Sequence, residues 1–246
     1  MVVEKIKTVP NVVSWRTTTI SVSYNKSLAM ETDVIYGWDN TGNNIDTHMM
    51  KNTEWGAVAY LSKSIYGING EIWINTANDY TTGCAGNTVN AGYTVGCINA
   101  YNTINGVKAS TTGNITGIYD ISGGAYEFVM GNIDNLPGTS GLNPSLIPDK
   151  YIDRYNSSNN YSYNNTYFGD AFFETSFNPY INGVGNTNGA WYRDHSFTPD
   201  TSGPWFTRGG HYNHGSAAGV FYFYGRSGGA HVLCGFRPSL IVESGL

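Results

Sequence analysis

Towards its C-terminal end the chain gathers most of the side chains that could do chemistry: His195, His211, His214, His231 and Cys234. His211 and His214 stand three apart, a spacing that metal sites use on a helix, but their Gly-rich surroundings offer no helix to align them. Asp194-His195 opens a triad that lacks a third member, for no Gly-x-Ser-x-Gly nucleophile elbow is present. No Cys-x-x-Cys pair or His/Cys cluster has zinc spacing. Calcium needs several oxygen ligands from one loop. Asp120 and Glu127 lie close in sequence, yet Asp120 reads more simply as a turn residue. The sequence thus implies no metal and no cofactor, and His195 reads as a polar surface residue.

What remains suits contact rather than catalysis. Residues 205–238 read WFTRGGHYNHGSAAGVFYFYGRSGGAHVLCGFRP, with no sustained helical or strand period. Tyr supplies large, stiff contact area while Ser, Gly and Asn adapt their hydrogen bonds, and Tyr and Arg recur as interface hot spots. The expected contact face comprises His211, Tyr212, Asn213, His214, Ser216, Ala217, Tyr222, Tyr224, Arg226, Ser227 and His231, continuing through Val232, Leu233 and Cys234. Phe221 and Phe223 alternate with Tyr222 and Tyr224, which predicts the Phe pair pointing in and the Tyr pair pointing out.

A contact face needs a rigid frame that carries tolerant positions. Arg208-Gly209-Gly210 would hold one edge, the Gly pair taking backbone angles closed to other residues. Gly235-Phe236-Arg237 would hold the other, with Phe236 in the core and Arg237 in a buried ion pair or hydrogen-bonded network. Leu240, Ile241 and Val242 supply a closing strand. Upstream, residues 117–129 place Ile118, Ile121, Tyr126 and Phe128 as core candidates around a Gly turn. The best helix starts at a cap on Asn52 or Thr53 and carries Trp55, Val58, Ala59 and Leu61 through to Ser64, with Trp55 as a core anchor. Gly67 and Gly70 end that pattern, and residues 71–75 read as a short strand.

The rest is turn-rich. Residues 1–30 alternate polar positions with Val, Ile and Thr, notably at Val12-Val13 and over 19–24, which predicts one or two strands. Residues 38–44 are a turn by composition. Residues 76–113 form a Gly/Asn/Thr-rich surface excursion in which Tyr80, Tyr93, Val95 and Tyr101 give the loop something to bury. Cys84 and Cys97 within it either form a disulfide in an exported protein or stand as unrelated reduced thiols. A second excursion over 131–190 carries Pro137, Pro144 and Pro148 and a Tyr/Asn/Ser run, too dense in Tyr for an ordinary disordered linker.

Composition narrows the partners. The 246 residues carry a net charge of -5 and no Gln, and a pI near 5.4 lacks the basic footprint that nucleic acid requires. Scarce charges with many turn formers argue for a loop-rich domain, not a helical bundle. No apolar run approaches the ~20 residues needed to span a bilayer, so no direct membrane insertion is expected. No secretory leader is visible, and any export or anchoring signal is expected to lie outside the chain.

Three words carry a resemblance: 117–128, Arg208-Gly209-Gly210 and Gly235-Phe236-Arg237. Together they resemble the shared words of the formylglycine-generating-enzyme superfamily with its C-type-lectin-like fold, roughly GLYDMxGNVWEW, RGG and GFR. Ile121, Gly124, Tyr126 and Phe128 replace the commoner residues, and Asn52-Thr53-Glu54-Trp55 is similar to the helix entry of that fold. Within the superfamily the chain most resembles the variable proteins of diversity-generating retroelements. There an error-prone reverse transcriptase rewrites a C-terminal segment at template adenines, and Asn codons do not yield Trp, Met, Lys, Glu or Gln. Residues 208–237 contain none of those types, although Gln is missing throughout.

The resemblance implies an α+β, C-type-lectin-like domain over 36–246 with long loop insertions, a short N-terminal strand extension over 1–35 and a variable segment at about 205–238. It implies a non-enzymatic receptor-binding protein or adhesin displayed outside the cell, on a bacterial surface or a phage virion such as a tail-fibre tip. The partner would be a protein or glycan on a cell or phage-host surface. Randomisation would also explain Val232, Leu233 and Cys234, residues that a designed paratope avoids. The alternative is a fixed structural or accessory surface protein, part of a pilus or phage tail, with one constant partner. A third possibility is an oxidase of the formylglycine-generating type. Those enzymes bind copper through paired cysteines late in the fold, and here Cys234 stands alone in that part.

Overall fold

The computed structural model describes residues 5–38, 44–157 and 191–242. In chain order its principal elements are α1 (Ile20–Leu28), β1 (Ile45–Met49), α2 (Asn52–Ser62), β2 (Cys84–Ala85), β3 (Asn99–Ala100), β4 (Tyr126–Ile133), β5 (Asp153–Tyr155), β6 (Trp205–Gly209), β7 (Gly219–Arg226), β8 (Cys234–Phe236) and β9 (Pro238–Val242). Helix and sheet are mixed, and the expected turn at 38–44 lies almost wholly outside the described residues.

Strand β4 is the axis. Every residue of it is buried, as a strand covered on both faces must be. One edge pairs antiparallel with β6, which pairs antiparallel with β7. The other edge is shared: β8 runs parallel to its first residues, Tyr126 to Phe128, and β5 parallel to its last, Gly131 to Ile133. Between them Met130 bridges to the loop before α2, its N–H donating to the Met50 carbonyl at 2.9 Å.

Alternation along β4 feeds two apolar clusters. Val129 and Ile133 join Trp55 and Ala59 of α2 with Phe206, Phe221 and Phe223. Tyr126, Phe128 and Met130 join Ile20 and Tyr24 of α1 with Trp205, Tyr222 and Cys234. One helix therefore seals each face. The α2 start is fixed by Glu54, whose carboxylate accepts the Lys51 N–H at 2.9 Å. The cap is thus Lys51, one residue before the earlier of the two expected caps, and the helix closes at Ser62 rather than Ser64. Trp55 is fully buried and donates its indole N–H to the Val220 carbonyl at 2.7 Å. Leu61 faces solvent instead of the core.

The expected strand over 19–24 is a helix. Its polar–apolar alternation hides a second period, because Ile20, Ser23, Tyr24 and Ser27 are the buried positions, the i, i+3, i+4, i+7 stripe of a helix. The serines belong to that stripe: Ser23 and Ser27 donate to the carbonyls of Thr19 and Ser23 at 3.1 and 2.8 Å, which satisfies them without water. Thr19 caps the first turn, accepting the Val22 N–H. Val13 makes only an isolated bridge to Thr81.

Three further expectations need correction. Residues 71–75 bury Ile72 and Ile74 but form no strand; Asn75 makes a single bridge to Gly123. Ile118 lies at the surface, unlike Ile121, Tyr126 and Phe128. Of the residues expected to bury the 76–113 excursion, Tyr80 and Tyr101 are half-buried against Tyr212 and Tyr119, whereas Tyr93 and Val95 are 58% and 89% exposed, and polar bonds hold the rest. Its anchors are the buried Asp120 carboxylate, which accepts from Asn75 Nδ2 at 2.7 Å and the Gly83 N–H at 2.9 Å, and a Cys84–Cys97 disulfide with its Cα atoms 5.5 Å apart. Of the two readings open for those cysteines, the structure takes the bonded one. The closing strand β9 forms as expected, antiparallel to β1.

Candidate functional site: an aromatic face between two bracketed strands

Strand β6 delivers Arg208 into the interior. It is fully buried, with its guanidinium 5.7 Å from the ring centroids of Trp55 and Phe223 and 3.4 Å from Asn52 Oδ1. Gly209 and Gly210 follow with φ of +82° and +74°; a Cβ on Gly210 would come within 2.8 Å of Ala218. This turn is closed to side chains, which is why two glycines stand there. At the other bracket Arg237 grips Glu127 of β4 with two parallel bonds, Nε to Oε2 at 2.9 Å and NH2 to Oε1 at 2.6 Å, and also donates to the Tyr119 carbonyl. Phe236 is half-buried, edge-on to Trp15 at 5.4 Å.

Between the brackets a tight turn over 211–214 hangs from the Tyr212 N–H, which donates to the Gly124 carbonyl at 2.9 Å. It brings His211 and His214 together, their rings tilted by 49° with the centroids 3.9 Å apart. Both pack on the Tyr126 ring, at 4.8 and 5.3 Å, and the Tyr126 hydroxyl lies 3.0 Å from His214 Nε2. Arg226, at the end of β7, lays its guanidinium over that ring at 4.5 Å. His195 stacks on Tyr222 at 5.5 Å and lies 5.7 Å from Tyr224.

Burial sets the protonation of this cluster. It pushes His211 down to about 4 and His214 to about 3, helped by the Arg226 charge. His195 and His231 move the same way. All four rings are neutral at pH 7, and imidazoles with such low pKa values are feeble bases there. Burial pushes the Cys234 thiol up to about 12, so it is not a ready thiolate. Among the described residues no group of three or more His, Cys, Asp or Glu is arranged to hold a metal ion.

The expected contact residues divide by depth. Asn213, Ser216 and Val232 are exposed; His211, Tyr212, His214, Ala217, Tyr224, Arg226, Ser227, His231 and Leu233 are half-buried. Ser227 turns away from the ring cluster and is tied to Thr139 by backbone and hydroxyl bonds. Tyr222 does not point out: it is 1% exposed, packed among Tyr126, His195 and His214 in the cluster that also holds Ile20 and Tyr24 of α1. Cys234 is fully buried in the same cluster, so it belongs to the core and not to the contact face. His195 is half-buried rather than at the surface. Asp194 is almost wholly buried and accepts the Phe221 N–H at 2.9 Å; burial raises its pKa well above the usual range.

The sequence missed a rim contributed from far away in the chain. Tyr80 and Tyr93, in the disulfide-bonded loop, meet Tyr212 edge-on at 5.0 and 6.3 Å. Arg16 lies over the Tyr80 ring at 3.6 Å and donates to the Val232 carbonyl. The one available signal was the pair of cysteines around Tyr93, which marks a loop held in shape. Searches of protein-family models and of curated proteins return no match. No helix of the described residues is long and apolar enough to cross a membrane.

Proposed function

We propose that this chain is a recognition protein of C-type-lectin-like architecture whose 205–238 segment is a diversified binding surface, displayed on a bacterial cell or a phage particle. The observation that carries this reading is the division of that segment. Its bracket residues are buried or half-buried and bonded into the fold, while His211, His214 and Arg226 from between them gather on the Tyr126 ring. Such a frame tolerates replacement of its contact residues without losing its backbone.

Two further features support it. The neutral, half-buried imidazoles supply contact surface and hydrogen bonds at pH 7, and neither they nor the buried, protonated Cys234 thiol offers an activated base or nucleophile. The chain's three cysteines are divided between one disulfide and the isolated Cys234, leaving no dithiol for copper. Oxygen uptake with a thiol peptide and stoichiometric copper binding should both be absent; their presence would revive the oxidase reading. The disulfide fits an oxidising, extracellular setting.

The direct test is sequencing of the 205–238 coding window from many cells of the source population. Diversification predicts substitutions concentrated between Gly210 and Gly235, with Arg208, Phe236 and Arg237 fixed. A uniform window would sink it there, and the face would then be a fixed site for one constant surface partner.

A further inference from the structure

The contact face carries positive charge with no acid to answer it. Arg226 and Arg16 both neighbour the turn from His231 to Cys234. The Arg226 guanidinium rests on the Tyr126 ring, and its Nε is buried without a hydrogen-bond partner. Its other polar neighbour is the Tyr126 hydroxyl. Arg16 rests on Tyr80, gives one N–H to the Val232 carbonyl, and likewise has a buried, unpartnered Nε. Among the described residues no carboxylate pairs with either arginine.

The acids of the neighbouring elements are engaged elsewhere. Glu127 is held by Arg237, Asp120 by Asn75 and Gly83, and Asp194 lies under β7. Asp79, exposed on the Tyr80 loop, accepts the Thr81 N–H. Arg226 is the charged neighbour of His211, His214 and His231, and their other titratable neighbours are imidazoles that are neutral at pH 7. The face is therefore cationic on a chain whose net charge is -5.

A guanidinium stacked on an aromatic ring keeps its planar fork free for a carboxylate, which it grips with two parallel bonds. Beside these forks the surface is apolar: Val232 and Tyr93 are each 58% exposed and Val95 is 89% exposed. Such area is stabilised by meeting apolar side chains, which favours a protein partner over a saccharide. We infer that the face binds an acidic protein segment whose Asp or Glu side chains engage Arg226 and Arg16, with an aliphatic or aromatic side chain seated among Tyr212, Tyr93 and Val232. This assignment rests on the face being a recognition surface and adds the class of its partner.

The test is panning of a displayed random peptide library on the full chain, beside an array of acidic glycans. Recovered peptides should be rich in Asp or Glu next to apolar residues. Arg226→Gln should weaken them on the order of tenfold or more, because truncating one partner of a desolvated charge pair costs at least that much. Arg16→Lys, which keeps the charge but loses the fork, should weaken them less, and added salt should weaken the wild type through screening. Peptides without acids, or indifference to Arg226→Gln while Tyr212→Ala still abolishes binding, would overturn the acidic class and leave the recognition face standing. Binding of acidic glycans alone, or no binder of either kind, would also overturn it. Peptides insensitive to every substitution between Gly210 and Gly235 would overturn the recognition face itself.

Discussion

Two pairs of arginines separate the frame of this molecule from its face. Arg208 and Arg237 are drawn into the interior and anchored there, one between Trp55 and Phe223, the other on both oxygens of Glu127. Arg16 and Arg226 lie half-buried on tyrosine rings, with no carboxylate paired to either among the described residues. The residue type is the same, and the difference lies in what faces it. A bonded guanidinium fixes backbone, whereas an unanswered one waits for an anion from outside the chain.

The contrast is sharpest in unfolding experiments. Arg237→Ala leaves the Glu127 carboxylate, 10% exposed, without its counter-charge. Removing one partner of a buried pair costs about 3–5 kcal/mol, and urea denaturation of the variant should show a loss of that size. Arg226→Gln removes no protein–protein ion pair, only its cation–π contact with Tyr126, and should shift stability by about 1 kcal/mol or less. If Arg226→Gln cost as much as Arg237→Ala, the division between frame and face would fail.

Next in size is the disulfide that holds the tyrosine rim. Cys84 and Cys97 are 13 residues apart, and closing a loop of that length stabilises a fold by about 3 kcal/mol on chain-entropy grounds. A Cys84→Ser, Cys97→Ser double variant should lose roughly that much in urea denaturation, and should bind recovered peptides more weakly as Tyr80 and Tyr93 leave Tyr212. A variant that is destabilised but binds unchanged would show that the rim is only a neighbour of the face.

Histidines divide the same way, and pH separates them. His48 is 2% exposed between Asp46 and Glu54, with its ring nitrogens 2.8 Å from each carboxylate. Burial works against its protonation, but the bonds and charges of Glu54 and Asp46 prevail and raise its pKa above 6.5. Its contribution is therefore fully present below pH 6.5 and is lost as pH rises through the raised folded value. His211 and His214 are shifted downwards. Between their folded values, about 4 and about 3, and 6.5 the unfolded chain binds protons that the folded one refuses, so stability falls as pH falls. Asp46 and Glu54, with lowered pKa values, lose their contribution only in stronger acid. His48→Gln should thus flatten the alkaline limb of the stability profile, and a His211→Gln, His214→Gln double variant the limb between about pH 4 and 6.5. With solvent screening of the half-buried His211 and His214 rings, roughly 1–2 kcal/mol is at stake on the acid limb. A double variant that kept the acid limb would show that these rings titrate normally.

How much of this was legible depended on the range of the information. The α2 pattern is local, since Glu54 and Trp55 sit at the helix entry they determine. The Arg208 and Arg237 brackets were readable because Gly-rich words surround them, although neither partner, Asn52 or Glu127, is near in sequence. α1 was misread because Ser23 and Ser27 look solvent-facing until their hydroxyls are seen bonding carbonyls one turn earlier. Tyr222 was misplaced by the same gap: alternation sorts side chains between two sheet faces but does not say that both are covered. Arg16, Tyr80 and Tyr93 reach Tyr212 and Val232 only through tertiary folding, so no local pattern announces them.

The smallest effects belong to the outermost positions. Asn213 and Ser216 are exposed; the Asn213 backbone N–H donates to His211 Nδ1 at 3.3 Å, and that bond does not depend on the side chain. Asn213→Ala and Ser216→Ala should each alter unfolding free energy by about 0.5 kcal/mol or less, as should Asn213→Tyr, because nothing lies above the turn to clash. Tyr222 offers the internal control. It is 1% exposed and packed among Tyr126, His195 and His214, so Tyr222→Asn should cost about 3 kcal/mol or more through the cavity and the buried amide. If one mutagenic process rewrites the whole segment, folding must filter its output unequally. A natural population should then be open at 213 and 216 and confined to aromatic residues at 222. Equal diversity at all three positions in folded protein would mean that the sheet's second face is not closed as described.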